Sequence, residues 1–241
     1  MRALGAAGLS REVQLPVVPN ARHLGGLPTA SGSTSLSDVI RSATLAKLQP
    51  SGVDALRRQG IRIVIDLRTA DERALSPEPD LSRFGFTNVW APVVEQDPAP
   101  HGVRLEYGHA GFLWMYQTFL ERGRSAMCQL VQTLADSGGG VLYHCLGGTD
   151  RTGVASALLL SLAGVPDEAI IADYSLSETL ETLAARGLTG EAAIQRMTAP
   201  VHAMAALLEM IRERWGSVEG YLLDAGASLS AIAEVRARAS K

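Results

Sequence analysis

The stretch Val141-Leu142-Tyr143-His144-Cys145-Leu146-Gly147-Gly148-Thr149-Asp150-Arg151-Thr152-Gly153 reads as a strand, a turn and the start of a helix. An apolar β-type run delivers Cys145 into a seven-residue turn that Arg151 closes, and the apolar segment Val154 to Ala163 follows at once. Such a turn can wrap its backbone around one phosphate dianion. Glycines at 147 and 148 are expected to let successive N–H groups converge, and a helix beginning near Thr152 adds unpaired donors and the positive end of its dipole. The same field favours the thiolate form of Cys145. Arg151 supplies a planar fork for two phosphate oxygens. A buried strand-end cysteine beside a glycine turn is the plainer reading, but it leaves Asp150 and Arg151 at the mouth of an apolar helix without a reason.

Working outward, Ile61 to Leu67 is a nearly continuous β-branched run, read as a central buried strand. It ends in Asp66-Leu67-Arg68. Ligands of open α/β sheets gather beyond the carboxyl ends of the strands, so Asp66 and Arg68 are expected near Cys145, bracing the loop or touching substrate. Thr87 to Pro92 reads as another strand, Val39 to Ala43 as a short one, and residues 12 to 20 as a short edge strand. Ser51-Gly52-Val53-Asp54 has the spacing of a capping box and is expected to open a helix that Gly60 ends. The aromatic run from Tyr107 to Leu120 reads as core helix, and Ser125 to Ala135 has helical periodicity. Beyond Pro166 every segment reads as helix: Asp167 to Leu183, Glu191 to Arg214 with a break or kink at Pro200, Ser217 to Leu223, and Ser228 to Arg238. The expected architecture is α/β, a mostly parallel twisted sheet flanked by helices, with residues 166–241 forming a helical part of one domain spanning 1–241. About the first twelve residues are expected to be disordered.

A chain of 241 residues with 46% hydrophobic and 20% charged content is large enough for a sizeable core. Its net charge of −3 gives no footprint for nucleic acid. No run approaches the roughly 18 apolar residues of a membrane span, and Met1 to Gly8 lacks the apolar stretch of a secretory signal. Two cysteines, Cys128 and Cys145, make no disulfide framework and suit a reducing cytoplasm. The histidines show no ligand spacing, so no metal site is expected.

The segment HCLGGTDRTG resembles the signature of the bacterial tyrosine phosphatase family, cysteine-dependent enzymes of the protein-tyrosine-phosphatase superfamily with HCxxGKDRTG loops. The likeness extends through Asn20-Ala21-Arg22-His23-Leu24-Gly25-Gly26, Val64 to Arg68, Ala172-Asp173-Tyr174, and the stretch from Trp215 to Leu222 with Gly226. One position departs: Thr149 stands where the family usually carries Lys, which removes a cation from the phosphate pocket. The resemblance implies a phosphomonoesterase without cofactor. Its substrates would be phosphotyrosine, phosphoserine or phosphothreonine on proteins, or phosphoinositides, with inorganic phosphate or another tetrahedral oxyanion able to occupy the loop. Cys145 would form a phosphocysteine, and the Leu146, Gly147, Gly148, Thr149, Asp150 and Arg151 segment would hold the phosphate. His144 would orient the loop. Thr152 would donate to the departing sulfur, or simply cap the helix. For the acid that protonates the leaving group, Asp150 comes first, then Glu95 on the loop after Pro92, then Asp97. A phosphate-binding protein without turnover, or a sulfur-transfer or arsenate-reducing enzyme, are the competing readings of the same loop.

Overall fold

In the computed structural model, which describes residues 11–96, 108–177 and 190–240, five strands form one sheet. In chain order they are β1 (Arg22–His23), β4 (Val39–Ser42), β5 (Ile61–Asp66), β6 (Thr87–Trp90) and β7 (Gly140–His144). Their spatial order is β1-β4-β7-β5-β6, with β1 antiparallel and every other pairing parallel. A small antiparallel ladder, β2 (Pro28–Thr29) with β3 (Gly32–Ser33), stands apart. The register aligns Ser42, His144, Asp66 and Trp90 across four neighbouring strands. The carboxyl ends of the strands therefore stop at one level, and the loops that follow them meet there.

Alternation along β7 sorts the core. Val141, Tyr143 and Cys145 face the helical layer, whereas Leu142 joins Ile40, Val64, Val53 and Leu56 on the other face. That second face is covered by α1 (Pro50–Arg58). The first carries α3 (Gly108–Arg122), α4 (Arg124–Asp136), α5 (Asp150–Leu162), α6 (Asp167–Ser175), α7 (Gly190–Trp215), α8 (Val218–Ala225) and α9 (Leu229–Ala239), while the short α2 (Ala70–Leu75) follows β5. Helix α5 is buried without interruption from Arg151 to Leu160, which explains a sequence that is apolar all round rather than on one stripe. Helices α8 and α9 pack against α4 and α5, with their apolar residues in the same cluster as Val141 and Tyr143. Among the described residues, no helix is long and apolar enough to cross a membrane.

Five local expectations change. Residues 12–20 form no strand: Glu12 makes one isolated bridge to Arg22, and Val17 and Asn20 adopt left-handed φ of 62° and 61°. Pro16 and Pro19 lack the N–H groups a ladder needs, so the chain turns there. Helix α1 starts one residue before the supposed cap, with Pro50 in its first turn and Gln49 as an N-cap that makes no side-chain bond. Helix α5 starts at Asp150, two residues earlier than expected. Helix α7 runs through Pro200 unbroken, with that residue buried. The helix expected over Asp167–Leu183 ends at Ser175, where Leu176 is the C-cap and the last N–H groups bond three residues back; residues 178–183, Tyr107 and residues 1–10 lie outside the described residues.

Candidate active site

The loop from Cys145 to Thr149 leaves β7 at the level where the strands end, and α5 begins at Asp150. Cys145 is buried, 2% exposed, at the base of this loop. Its geometry is set from outside. The Cys145 carbonyl accepts from Nδ1 of His144 at 3.2 Å. The Leu146 carbonyl accepts from the Thr44 N–H at 3.1 Å, and the Gly147 carbonyl from the Asn20 amide at 2.8 Å. The Gly148 carbonyl accepts from the Arg41 guanidinium at 2.7 Å. Every described peptide is trans, so the C=O of one residue and the N–H of the next point in opposite directions. Four consecutive carbonyls pulled outward turn the N–H groups of Leu146, Gly147, Gly148 and Thr149 inward. Among the described residues, none of those four N–H groups has an acceptor. The result is a concave nest of donors ahead of a helix N-terminus.

Only one of the two glycines is demanded by this shape. Gly148 has φ +69°, and a Cβ there would stand 2.6 Å from the Ala43 nitrogen and 2.7 Å from Ser42 backbone atoms. A Cβ on Gly147 would meet nothing closer than the Thr149 hydroxyl at 3.8 Å. The backbone at 148 must pass close to β4, and that contact, rather than general flexibility, requires glycine.

Behind the clamps lies a buried ion cluster. Asp173 on α6 meets Arg11 at 2.7 Å, Arg22 at 3.0 Å and Arg41 at 3.2 Å. Burial alone would raise its carboxyl, but Arg41, Arg22 and Arg11 outweigh it and hold Asp173 well below the usual carboxylate range. Three cations around one anion leave a positive surplus, and burial together with Arg41 lowers the Arg22 guanidinium to about 10. Arg22 and Asp173 come from the two segments that flank the loop in the sequence likeness; their pairing spans 151 residues.

Asp66 and Arg68 sit on the far side of His144. Arg68, 1% exposed, grips Asp66 through two nitrogens at 2.9 and 2.8 Å and reaches Glu78 at 3.2 Å and the Thr44 hydroxyl at 3.2 Å. Glu78 in turn accepts from the Thr44 hydroxyl and the Leu45 N–H at 2.7 Å and lies 3.4 Å from Nε2 of His144. Burial opposes its charge, yet His144, Thr44 and Arg68 bring the Glu78 carboxyl down to about 2. Arg68 is thus a buried brace for the segments that hold Cys145 and Leu146, and its guanidinium is committed there. Asp66, Glu78 and His144 gather ligand-type atoms within 4.8 Å of one another. The guanidinium of Arg68 and that of Arg73, 3.1 Å from Asp66, already answer those carboxylates. A cleft of about 500 Å³ beside this cluster, floored by Val64, Leu81 and Val89, is not at the cup.

At the cup's mouth, Arg151 is gripped by a residue that sequence reasoning passed over. Glu72 on α2 accepts from both terminal nitrogens of Arg151 at 2.5 Å. The same carboxylate accepts from the Thr69 N–H at 2.9 Å, completing a capping box. Burial raises Glu72, but Arg151 and Thr69 lower it further than burial lifts it. The Thr69-x-x-Glu72 spacing was a legible signal for a helix start, and the start is what orients Glu72. Asp150 is met by Tyr116 at 2.8 Å, Tyr174 at 3.4 Å and Arg196 at 3.7 Å, from three different helices. Thr152 is the third residue of α5 and fully buried; its hydroxyl has no hydrogen-bond partner among the described residues, so it neither caps the helix nor bonds to the sulfur here. Thr149 is the N-cap instead. Glu95 is exposed on the loop after β6 and has no described bond to the cup. Asp97 lies outside the described residues.

The sequence model of the tyrosine phosphatase family matches residues 13–240. The chain is 32% identical over 233 residues to a Cupriavidus necator protein assigned to the tyrosine-protein phosphatases, an alignment covering 89% of this chain and 84% of that one. It is 31% identical over 220 residues to a tyrosine-protein phosphatase of Nostoc commune, covering 83% and 73%. It is 30% identical over 281 residues to the triple specificity protein phosphatase PtpB of Mycobacterium tuberculosis, covering 92% and 97%. With a family match over residues 13–240 and relatives of 30–32% identity that the alignments cover to 73% or more, this chain belongs to the tyrosine phosphatase family.

Proposed function

We propose that the chain hydrolyses phosphate monoesters through a phosphocysteine on Cys145, with phosphotyrosine in proteins as the first substrate and phosphoserine or phosphothreonine beside it. The observation that carries this reading is the tethering of the Cys145, Leu146, Gly147 and Gly148 carbonyls, which leaves the four N–H groups that follow them without a described acceptor in the loop that begins at a buried thiol. In the first step the Cys145 thiolate attacks phosphorus, the S–P bond forms, and the ester P–O bond breaks. The departing oxygen takes a proton from Asp150, the carboxyl group at the helix start beside Arg151. In the second step water attacks the phosphocysteine, Asp150 takes the water proton, and phosphate leaves with the thiolate restored. The inward N–H groups and the Arg151 fork hold the equatorial oxygens while charge rearranges, and each such donor is worth roughly 2.7–4 kcal/mol in comparable oxyanion holes.

The relative named triple specificity phosphatase supports a broad substrate range. Thr149 leaves the loop itself without a lysine, so phosphoinositides rank behind phosphopeptides. Free thiols at Cys128 and Cys145 fit a reducing cytoplasm. The test is hydrolysis of a chromogenic aryl phosphate with EDTA or vanadate present. Vanadate inhibition without EDTA inhibition is expected, and Cys145→Ser abolishes turnover while inorganic phosphate still binds by calorimetry. Retained turnover in Cys145→Ser would move the nucleophile elsewhere.

A further inference from the structure

The cleft of about 500 Å³ beside Asp66 and Glu78 takes no part in the steps proposed for the cup. It has the size of a small-molecule site. Its floor of Val64, Leu81 and Val89 is apolar, and Trp90 stands at its wall, 45% exposed. The indole is held in place, because Nε1 donates to the Arg68 carbonyl at 2.9 Å. The Arg73 guanidinium lies 4.9 Å from the centroid of that ring and 3.1 Å from Oδ2 of Asp66. One half-exposed guanidinium is thus already seated here against an aromatic face and a carboxylate. The charges around the cleft do not balance. Asp66, Glu78 and Asp80 stand against Arg68 and Arg73, and the buried Arg68 is divided between Asp66 and Glu78. Arg83 answers Asp80 only from an 80% exposed position, where water screens the pair. Oε1 of Glu78 carries the Thr44, Leu45 and Arg68 contacts. The contact described at Oε2 is Nε2 of His144 at 3.4 Å, which makes no hydrogen bond among the described residues. That oxygen keeps lone pairs for a further donor.

We propose that this cleft binds a small organic monocation, an amidinium or guanidinium joined to an aromatic ring. The ring rests on Val64, Leu81 and Val89 beside Trp90, and the cation meets Glu78 and Asp80. A neutral or anionic ligand of the same shape would leave the surplus of carboxylate charge uncompensated, so charge selects the class. Asp66, Arg68 and Glu78 also brace the segments that carry Cys145 and Leu146, so the ligand touches that brace from outside the cup. Binding here needs no particular reaction at the cup. The plainer account is a solvated gap between the Pro77–Leu81 segment and the edge of the sheet, its carboxylates answered by the protein's own arginines.

Probes of one shape and different charge separate the two accounts. Benzamidine, benzamide and benzoate are each titrated into the full chain. Binding is followed by calorimetry and by the indole N–H signals of the three tryptophans in NMR spectra, with the Trp90 signal identified by its loss in Trp90→Phe. Benzamidine should shift the Trp90 signal saturably, with a Kd of ~1 mM or below, as a ligand of so few atoms can reach. Benzamide should bind at least ~10-fold more weakly, the usual cost of losing a charge-assisted hydrogen bond, and benzoate should leave Trp90 unmoved. Glu78→Gln should weaken benzamidine by ~10-fold for the same reason. Because Glu78 also braces the fold, Asn88→Arg serves as a second variant. Asn88 is exposed on β6 and lines the cleft, so the new guanidinium enters it without disturbing the core. That variant should lose the Trp90 shift with its melting temperature unchanged. Equal affinity for benzamidine and benzamide, no saturation below ~10 mM, or undiminished benzamidine binding in Asn88→Arg would overturn the proposal.

Discussion

The two sides of the 145–149 loop are built on different principles. Its inner side is local: consecutive N–H groups, a thiol and the fork of Arg151, all from seven adjacent residues. Its outer side is assembled from afar, with Asn20 separated from its carbonyl partner by 127 residues and Arg41 from its own by 107. The inner side is what a phosphate would meet, yet its shape is dictated by the outer one. A peptide plane turns as a unit, so a donor placed behind the carbonyl decides where the next N–H points. An anion-binding nest in this chain is therefore a property of β1, β4 and the turns beside them as much as of its signature sequence.

This contrast can be broken at one residue. Gly148→Ala should have the largest effect, because a left-handed φ and backbone contacts of 2.6–2.7 Å leave its Cβ nowhere to go. Strain and overlap together come to roughly 3–4 kcal/mol, and turnover should fall below detection. Gly147→Ala, with open space around it, should change melting temperature and kcat/KM little. Equal losses at the two glycines would mean that flexibility, rather than the approach to β4, is what the loop needs.

Arg41→Gln attacks the outer side without touching the cup. Releasing the Gly148 carbonyl frees the Thr149 N–H to turn away, and losing one donor of this kind costs about 10²-fold in turnover elsewhere. The same variant removes one cation from Asp173, so melting temperature is followed beside vanadate affinity. A folded Arg41→Gln protein that binds vanadate as the parent does would separate the clamp from the cup. Glu72→Gln should be milder: one fork contact is weakened and the capping box survives. A rise in KM of ~10-fold with kcat less affected is expected if Glu72 mainly orients Arg151 for binding.

The smallest effect at neutral pH concerns Glu78. Its carboxyl is held at about 2 in the folded chain against an ordinary 4.5, so the folded state binds that proton less readily than the unfolded one. The stabilisation is full above the ordinary value and is lost as pH falls through 4.5 toward 2. A depression of that size is worth roughly 3 kcal/mol. Melting curves at pH 7 and pH 3 should show a larger acid-induced drop for the parent than for Glu78→Gln. Identical drops would remove Glu78 from the acid-sensitive brace behind His144.

Much of the fold is legible in the order of the amino acids alone. The β-branched run at 61–67, the apolar strand at 141–144 and the helices with glycine stops reappear within a few residues, because hydrophobic period and stop signals act over short windows. Over residues 12–20 the alternation points to a strand, but two prolines turn the chain, and at residue 51 the capping spacing points to Ser51, but Pro50 opens α1. In the site, Asn20, Arg22, Asp173 and Tyr174 were visible as parts of shared segments without any role attached. Glu72 and Tyr116 were missed altogether.

The amino-acid sequence by itself determined that a cysteine, four peptide groups, an aspartate and an arginine would follow one another into a buried helix, since chain connectivity and helix polarity act locally. Only the tertiary structure decided which carbonyls are tied back, that Glu72 takes Arg151, and that two tyrosines reach Asp150. Apart from the bond of His144 to the carbonyl of its neighbour Cys145, those contacts join segments 24 to 127 residues apart, and hydrogen-bond direction across such spans is set by packing, which no local pattern encodes.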